Sequence, residues 1–151
     1  MQELKQLLIH STVFKSYMYF SALLTLKMLF MTILTIRERF KKRVFSNPED
    51  GTYRNIIIKY DDKDIERIRR AHRNDVENIP LFIFMGFLYC LTQPSENEAD
   101  FLFILFTIAR FAHTFVYAIY IIPQPARCIA FFTGYSVTIY MLIKVLIFAL
   151  G

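Results

Sequence analysis

Glu66-Arg67-Ile68-Arg69-Arg70-Ala71-His72-Arg73-Asn74-Asp75-Val76-Glu77-Asn78 runs without a break into Ile79-Pro80-Leu81-Phe82-Ile83-Phe84-Met85-Gly86-Phe87-Leu88-Tyr89-Cys90-Leu91-Thr92. The joint between the two halves decides the fold. The apolar half has 14 residues, which at 1.5 Å per residue reach about 21 Å, short of a hydrocarbon core of about 30 Å. A membrane crossing therefore needs the helix to continue upstream into the charged half. Asp62 or Asp64 is placed to cap its start, where an acid suits the helix dipole. Pro80 falls inside this helix and is tolerable in a membrane where neighbours satisfy the freed carbonyl.

Working outward, three further apolar runs of spanning length stand at about 13–36, 101–122 and 128–150. With the second at about 65–92 and a cytosolic loop at about 37–64, residues 1–151 read as a single all-α domain, a transmembrane four-helix bundle. No internal repeat or Gly/Ser linker divides it. Apolar residues make up 55% of the chain and charged residues still reach 21%, so the charges must be segregated. They are: 12 of the 18 Lys and Arg lie between Arg37 and Arg73, whereas residues 93–100 have none and carry Glu96, Glu98 and Asp100. Basic loops stay cytosolic, which puts 37–73 and Arg127 inside and both termini outside. The net charge of +5 is thus a matter of topology, and no recognition motif points to nucleic acid. Glu3 and the lack of a small-residue cleavage pattern leave the first helix as its own insertion signal. Cys90 and Cys128, in or beside apolar runs, exclude a disulfide framework and read as inert packing residues.

Charges inside a span are costly and mark candidate sites. Arg110, His113, Thr114 and Tyr117 recur at i, i+3, i+4 and i+7, one stripe of the third helix. The stripe is either a buried polar network joining helices or the wall of a cleft opening toward the cytosol. On the second helix Glu66, Arg70, Arg73, Asn74 and Glu77 share a face, with Arg69, His72 and Asp75 pointing elsewhere. Glu77, at the edge of the apolar run, is expected to meet an Arg or a ligand ammonium. Lys27 is expected in an ion pair or on a capped carbonyl, and Lys144 to snorkel to the far surface. His10, His72 and His113 have no ligand spacing, so no metal is expected. A cleft rich in Arg with one Glu suits a ligand bearing carboxylates and an ammonium, without choosing among such ligands.

The stretch 66–78 closely resembles the signature of the MAPEG family, membrane-associated proteins in eicosanoid and glutathione metabolism. Val44-Phe45-Ser46-Asn47-Pro48-Glu49-Asp50 resembles that family's cytosolic-loop motif, and Ala109-Arg110-Phe111-Ala112-His113-Thr114 with Tyr117 resembles its third helix. Pro123-Gln124-Pro125-Ala126-Arg127 is similar to the loop of its microsomal glutathione transferase branch. The resemblance implies a homotrimer in the endoplasmic reticulum membrane, with the mitochondrial outer membrane as a second address. Glutathione would be the co-substrate, bound between subunits, and lipophilic electrophiles or lipid hydroperoxides would arrive from the bilayer. It makes Arg39, Arg69, Arg70, His72, Arg73, Asn74, Glu77, His113 and Tyr117 the expected glutathione contacts and Arg127 the expected catalytic residue, holding the thiolate. Two departures matter. The loop before Arg127 is one residue longer than in that branch and brings Tyr120 near Tyr117, leaving open which phenol faces the thiol. Gly51 stands where some relatives carry an activating cysteine. The expected activity is glutathione transfer with peroxidase activity. The alternatives are a glutathione-dependent prostaglandin isomerase, which Arg70-Ala71-His72-Arg73-Asn74-Asp75 also resembles, and a non-catalytic lipid-binding scaffold of the same fold.

Overall fold

The computed structural model describes residues 11–52 and 55–151. Glu3, His10 and Arg54, which entered the expectations on insertion, metal spacing and loop charge, lie outside the described residues. Helix α1 spans Thr12–Lys42, α2 Lys63–Leu91, α3 Glu96–Thr114 and α4 Ala126–Leu150. Successive helices run in opposite directions. The connection from α1 to α2 and the 120–125 loop therefore lie at one end and the 92–95 turn at the other.

Each start has a local cause. Ser11 caps α1, its Oγ accepting from Phe14 N at 3.4 Å, and Ser95 caps α3 through Glu98 N at 3.4 Å. Asp62, not Asp64, caps α2: its Oδ1 accepts from the N–H groups of Asp64 and Ile65 at 3.1 and 3.2 Å. α2 has 29 residues, about 44 Å at helical rise, so the charged and apolar halves form one rod. α1, α4 and the stretch Glu96–Ile119 are long and apolar enough to cross a membrane. α2 is long enough, but its charged first half lowers its hydropathy.

Two features depart from the expected outline. The segment after α1 holds a short parallel pair, β1 (Val44–Phe45) and β2 (Ile57–Ile58), around a 3₁₀ turn at Pro48–Thr52. The third span is not a uniform helix over 101–122. It starts earlier, at the Ser95 cap, and α3 passes at Thr114 into a π-helical turn, Phe115–Ile119. That turn closes through Tyr120 N to Phe115 O at 2.7 Å and Ile122 N to Val116 O at 3.1 Å. Pro123 and Pro125 follow; they supply no N–H to prolong the ladder and push the preceding residues toward extended backbone.

The helices form a ring in which α1 packs on α2 and α3, and α4 on α2 and α3. Leu24, Ile79, Phe82, Tyr89, Phe103, Phe106 and Met141 fill the centre. The rings of Phe82 and Phe106 stack with centroids 3.7 Å apart. Gly86 lets α1 and α2 approach, since a Cβ there would lie 3.1 Å from the Tyr17 ring. At the acidic end Glu98 accepts from the Tyr140 hydroxyl at 2.5 Å and pairs with Lys144 at 3.4 Å, tying α3 to α4. Leu, Ile and Phe side chains point outward along all four helices, among them Leu29, Phe84, Ile108 and Ile147, a surface suited to lipid tails.

Candidate functional site

Three helices each send a charge into the middle of the bundle. Lys27 from α1, Asp75 from α2 and Arg110 from α3 are 4%, 0% and 1% exposed. The Asp75 carboxylate takes the Lys27 ammonium on Oδ2 and the Arg110 guanidinium on Oδ1, through Nε at 3.1 Å and Nη2 at 2.5 Å. Thr114 Oγ1 donates to Oδ2 at 3.5 Å. A buried charge in an apolar interior must be paired and hydrogen-bonded, and here one carboxylate serves two cations. Arg110 Nη2 also donates to Asn74 Oδ1 at 2.8 Å. Because guanidinium has only donors, that bond fixes the Asn74 amide with its oxygen toward Arg110 and leaves the NH₂ for other partners.

Asn74 is where this network meets a cavity. The cavity, about 310 Å³, lies between α2, the π-helical turn and the start of α4, and is lined by Arg70, Arg73, Asn74, Glu77, His113, Tyr117, Gln124, Arg127, Cys128 and Phe131. Arg70, Arg73, Asn74 and Glu77 reach it together because they recur at helical spacing on α2. Arg70 Nε donates to Tyr117 Oη at 3.1 Å, and the Arg127 guanidinium sits 4.4 Å from the Tyr117 ring centroid. His113 meets the same ring edge-on at 5.7 Å. Tyr117 is thus held from three sides. With Arg70 donating to its oxygen, its own O–H is free to donate into the cavity. Among the described residues Arg70, Arg73, Arg127 and Glu77 form no ion pair. Three guanidinium groups, one carboxylate, an amide and a phenol therefore face one small volume. That set binds carboxylates through Arg forks and an ammonium through Glu77, and a cation beside a phenolic donor stabilises a developing thiolate.

The stripe on the third helix divides between its two readings. Arg110 and Thr114 belong to the buried network, and His113 and Tyr117 line the cavity. Lys27 is in an ion pair, as expected. Of the remaining expected contacts, Arg39, Arg69 and His72 do not line the cavity. Arg69 turns to Glu66 one turn away, and Arg39 Nη1 is buried without a hydrogen-bond partner among the described residues. Tyr120 is 67% exposed, its ring stacked over Phe115 and outside the cavity lining.

Several residues escaped the sequence reading. Helical spacing puts Asp75 off the functional face, and the residues it joins lie 35 and 48 positions away, a separation that local periodicity does not encode. Gln124 and Phe131 carry no signal of their own. Cys128 corrects an expectation: Cys90 is buried in the core, but Cys128 is exposed and lines the cavity. A cysteine at the edge of an apolar run is buried or open according to where the helix begins, and α4 begins at Ala126. On the other side of the network a groove of about 940 Å³ runs between α1 and α3. Leu26, Phe30, Ile33, Ile108 and Phe111 line it, with Lys27 and Thr114 among its polar groups.

The model of the MAPEG family matches residues 17–147. Microsomal glutathione S-transferase 1 from Bos taurus is 40% identical over 152 residues, covering 97% of this chain and 96% of that protein. The Mus musculus protein of the same name matches at 40% with the same coverage. Prostaglandin E synthase from Bos taurus is 38% identical over 112 residues, covering 73% of this chain and 72% of that protein.

Proposed function

The chain belongs to the MAPEG family, and from that premise we propose that it is a membrane glutathione transferase, joining glutathione thiolate to lipophilic electrophiles and reducing lipid hydroperoxides. The observation that carries this is the convergence of Arg70, Arg73, Arg127, Glu77 and Tyr117 on one cavity with their charges unspent. Glutathione has two carboxylates, one ammonium and one thiol, a complement to those groups. The near-complete coverage by relatives named glutathione S-transferase supports the same reading.

In this mechanism Arg70 and Arg73 take carboxylates and Glu77 the ammonium, while the amide of Asn74, oriented by Arg110, donates to the backbone of the tripeptide. The thiol lies toward Tyr117 and Arg127. Loss of its proton to water leaves a thiolate that the Tyr117 O–H and the Arg127 cation stabilise. The sulfur then attacks an electrophilic carbon and displaces its leaving group, or attacks the peroxidic oxygen of a hydroperoxide, giving the alcohol and a glutathione sulfenic acid that a second glutathione reduces to the disulfide and water. Arg39, Arg69 and His72, outside this cavity, reach glutathione from a neighbouring subunit of a homotrimer. The basic end faces the cytosol and the second substrate arrives from the bilayer. The endoplasmic reticulum membrane is the proposed location, with the mitochondrial outer membrane as a second.

Stopped-flow ultraviolet absorbance of the detergent-purified protein mixed with glutathione tests this. A thiolate signal in the parent protein that Arg127→Ala abolishes, with binding retained, is the expected result. Binding without thiolate would overturn the mechanism. The resemblance to prostaglandin E synthase over 73% of the chain favours, as second reading, an isomerase that forms the thiolate only with its lipid substrate present. The discriminating measurement is turnover of a prostaglandin endoperoxide beside turnover of an aryl halide.

A further inference from the structure

We propose that Cys128 is a modification site, at which a glutathione disulfide forms a mixed disulfide inside the cavity and closes it to further glutathione. The proposal rests on the reading of the cavity as a glutathione site. Cys128 is exposed and lines that cavity beside Arg127, whereas Cys90 is buried in the core. Its position is set by a rigid element. It lies in the first turn of α4, and its backbone N–H donates to Gln124 Oε1 at 3.2 Å. A second feature marks the same place for a polar ligand. His113, only 3% exposed, lines the cavity, and its imidazole forms no hydrogen bond among the described residues.

The exchange needs no oxidant beyond the disulfide. One glutathionyl half lies in the cavity, its carboxylates on Arg70 and Arg73, and the other projects from the mouth. Cys128 Sγ, as thiolate, attacks the inner sulfur. The Sγ–S bond forms, the original S–S bond breaks, and the outer half leaves as a thiolate that takes a proton from water. Cys128 has been oxidised and one half of the disulfide reduced. At about 310 Å³ the cavity is at the small end of ligand sites, so the attached tripeptide excludes a free one.

The test uses the full chain in lipid nanodiscs, treated with glutathione disulfide or with the neutral bis(2-hydroxyethyl) disulfide and read by intact mass. The expected adduct is one glutathionyl group per subunit, absent in Cys128→Ser and Cys128→Ala and retained in Cys90→Ala. An arginine-lined cavity concentrates anions by about 10-fold or more. Glutathione disulfide should therefore outpace the neutral disulfide by that factor, relative to the same ratio for free cysteine. S-methylglutathione, which cannot exchange, should slow it. Transferase activity should fall with the adduct and return with dithiothreitol, and the Cys128→Ser rate, whatever its basal value, should ignore the disulfide. Equilibrium dialysis with glutathione separates the two ways of failing. Binding with no adduct at Cys128, or an adduct formed equally fast with the neutral disulfide and without protection, overturns this proposal alone. No binding and no adduct overturns the glutathione reading and this proposal with it.

Discussion

Asp75 is the residue on which most depends, because Lys27 and Arg110 meet no other carboxylate among the described residues. Asp75→Asn would leave two buried cations facing each other, and removing one partner of a buried pair costs about 3–5 kcal/mol. Thermal unfolding in detergent should show a large fall in midpoint. Lys27→Met should cost much less, since the Asp75–Arg110 pair survives it and a methionine fills much the same space; an equal loss for both would mean that Arg110 alone cannot hold the carboxylate. Tyr117→Phe makes a different test. It keeps the ring beneath Arg127 but removes the hydroxyl that accepts from Arg70. It also removes the O–H proposed to donate to the thiolate; a hydrogen bond to a charged group is worth about 1.5–3 kcal/mol, so kcat/KM for conjugation should fall by about 10- to 100-fold with stability nearly unchanged. Tyr120→Phe, on a side chain outside the cavity, should leave the rate as it was. Little of the Asp75 network could be read from the chain, because its members are five polar residues on three helices. The cavity was more legible: four of its side chains come from one α2 face, and helical spacing alone groups them.

Between the ends of α1 and α2 a charged clamp does the joining. Lys42 Nζ meets Asp62 Oδ1 at 2.8 Å and also pairs with Asp64, which in turn accepts from Arg67 Nη1 at 2.6 Å. The Lys42 ammonium holds both carboxylates below their usual range, Asp64 down to about 2, where Arg67 adds to the effect. A carboxylate with a depressed folded value stabilises fully above its unfolded value, about 3.9, and loses that contribution as pH falls through the folded one. The stability difference between the parent and Lys42→Met should therefore be constant near neutrality and vanish as pH falls from about 4 toward about 2. Its size should be no more than about 1 kcal/mol, since these side chains are partly exposed. A difference that persisted at the acid end would assign the effect of Lys42 to packing. Farther along the same helix pair, Gly86→Ala would press a methyl against the Tyr17 ring. That ring cannot easily retreat, because its hydroxyl donates to Ile83 O at 3.0 Å. Overpacking of this kind costs about 1–3 kcal/mol, and thermal unfolding should show it. At this scale the chain was largely readable. The short apolar run 79–92 required a helix extended upstream, and α2 begins at Lys63 with Asp62 as its cap. The π-helical turn was not readable, because it arises from how the ladder ends before Pro123, not from a side-chain period.

The whole molecule poses the question of what completes the site. Seven expected contacts, Arg127 included, gather in one cavity, while Arg39, Arg69 and His72 stay outside it. Arg39 lies in the last turn of α1 with a buried Nη1 that has no hydrogen-bond partner among the described residues, a costly arrangement unless another group takes it up. A cyclic trimer would supply that group, because a closed assembly presents the same edge of each subunit to the next. The consequence can be tested by mixing. Arg127→Ala and Arg39→Ala subunits, each inactive or nearly so as pure assemblies, would be co-expressed with different tags and purified through both. If Arg39 serves its own subunit's cavity, every cavity in the mixture carries a defect and activity stays at the level of the pure variants. If it serves the neighbour's, a cavity with its own Arg127, beside a subunit with its own Arg39, is intact. After purification through both tags every trimer holds both kinds of subunit, about one cavity in three is of this kind, and activity should recover to about a third of the parent. Recovery would also require that the subunits exchange arginines across an interface, which a monomer cannot do. The same experiment therefore tests the assembly and the placement of Arg39 together, and native mass spectrometry of the doubly tagged sample supplies the subunit count.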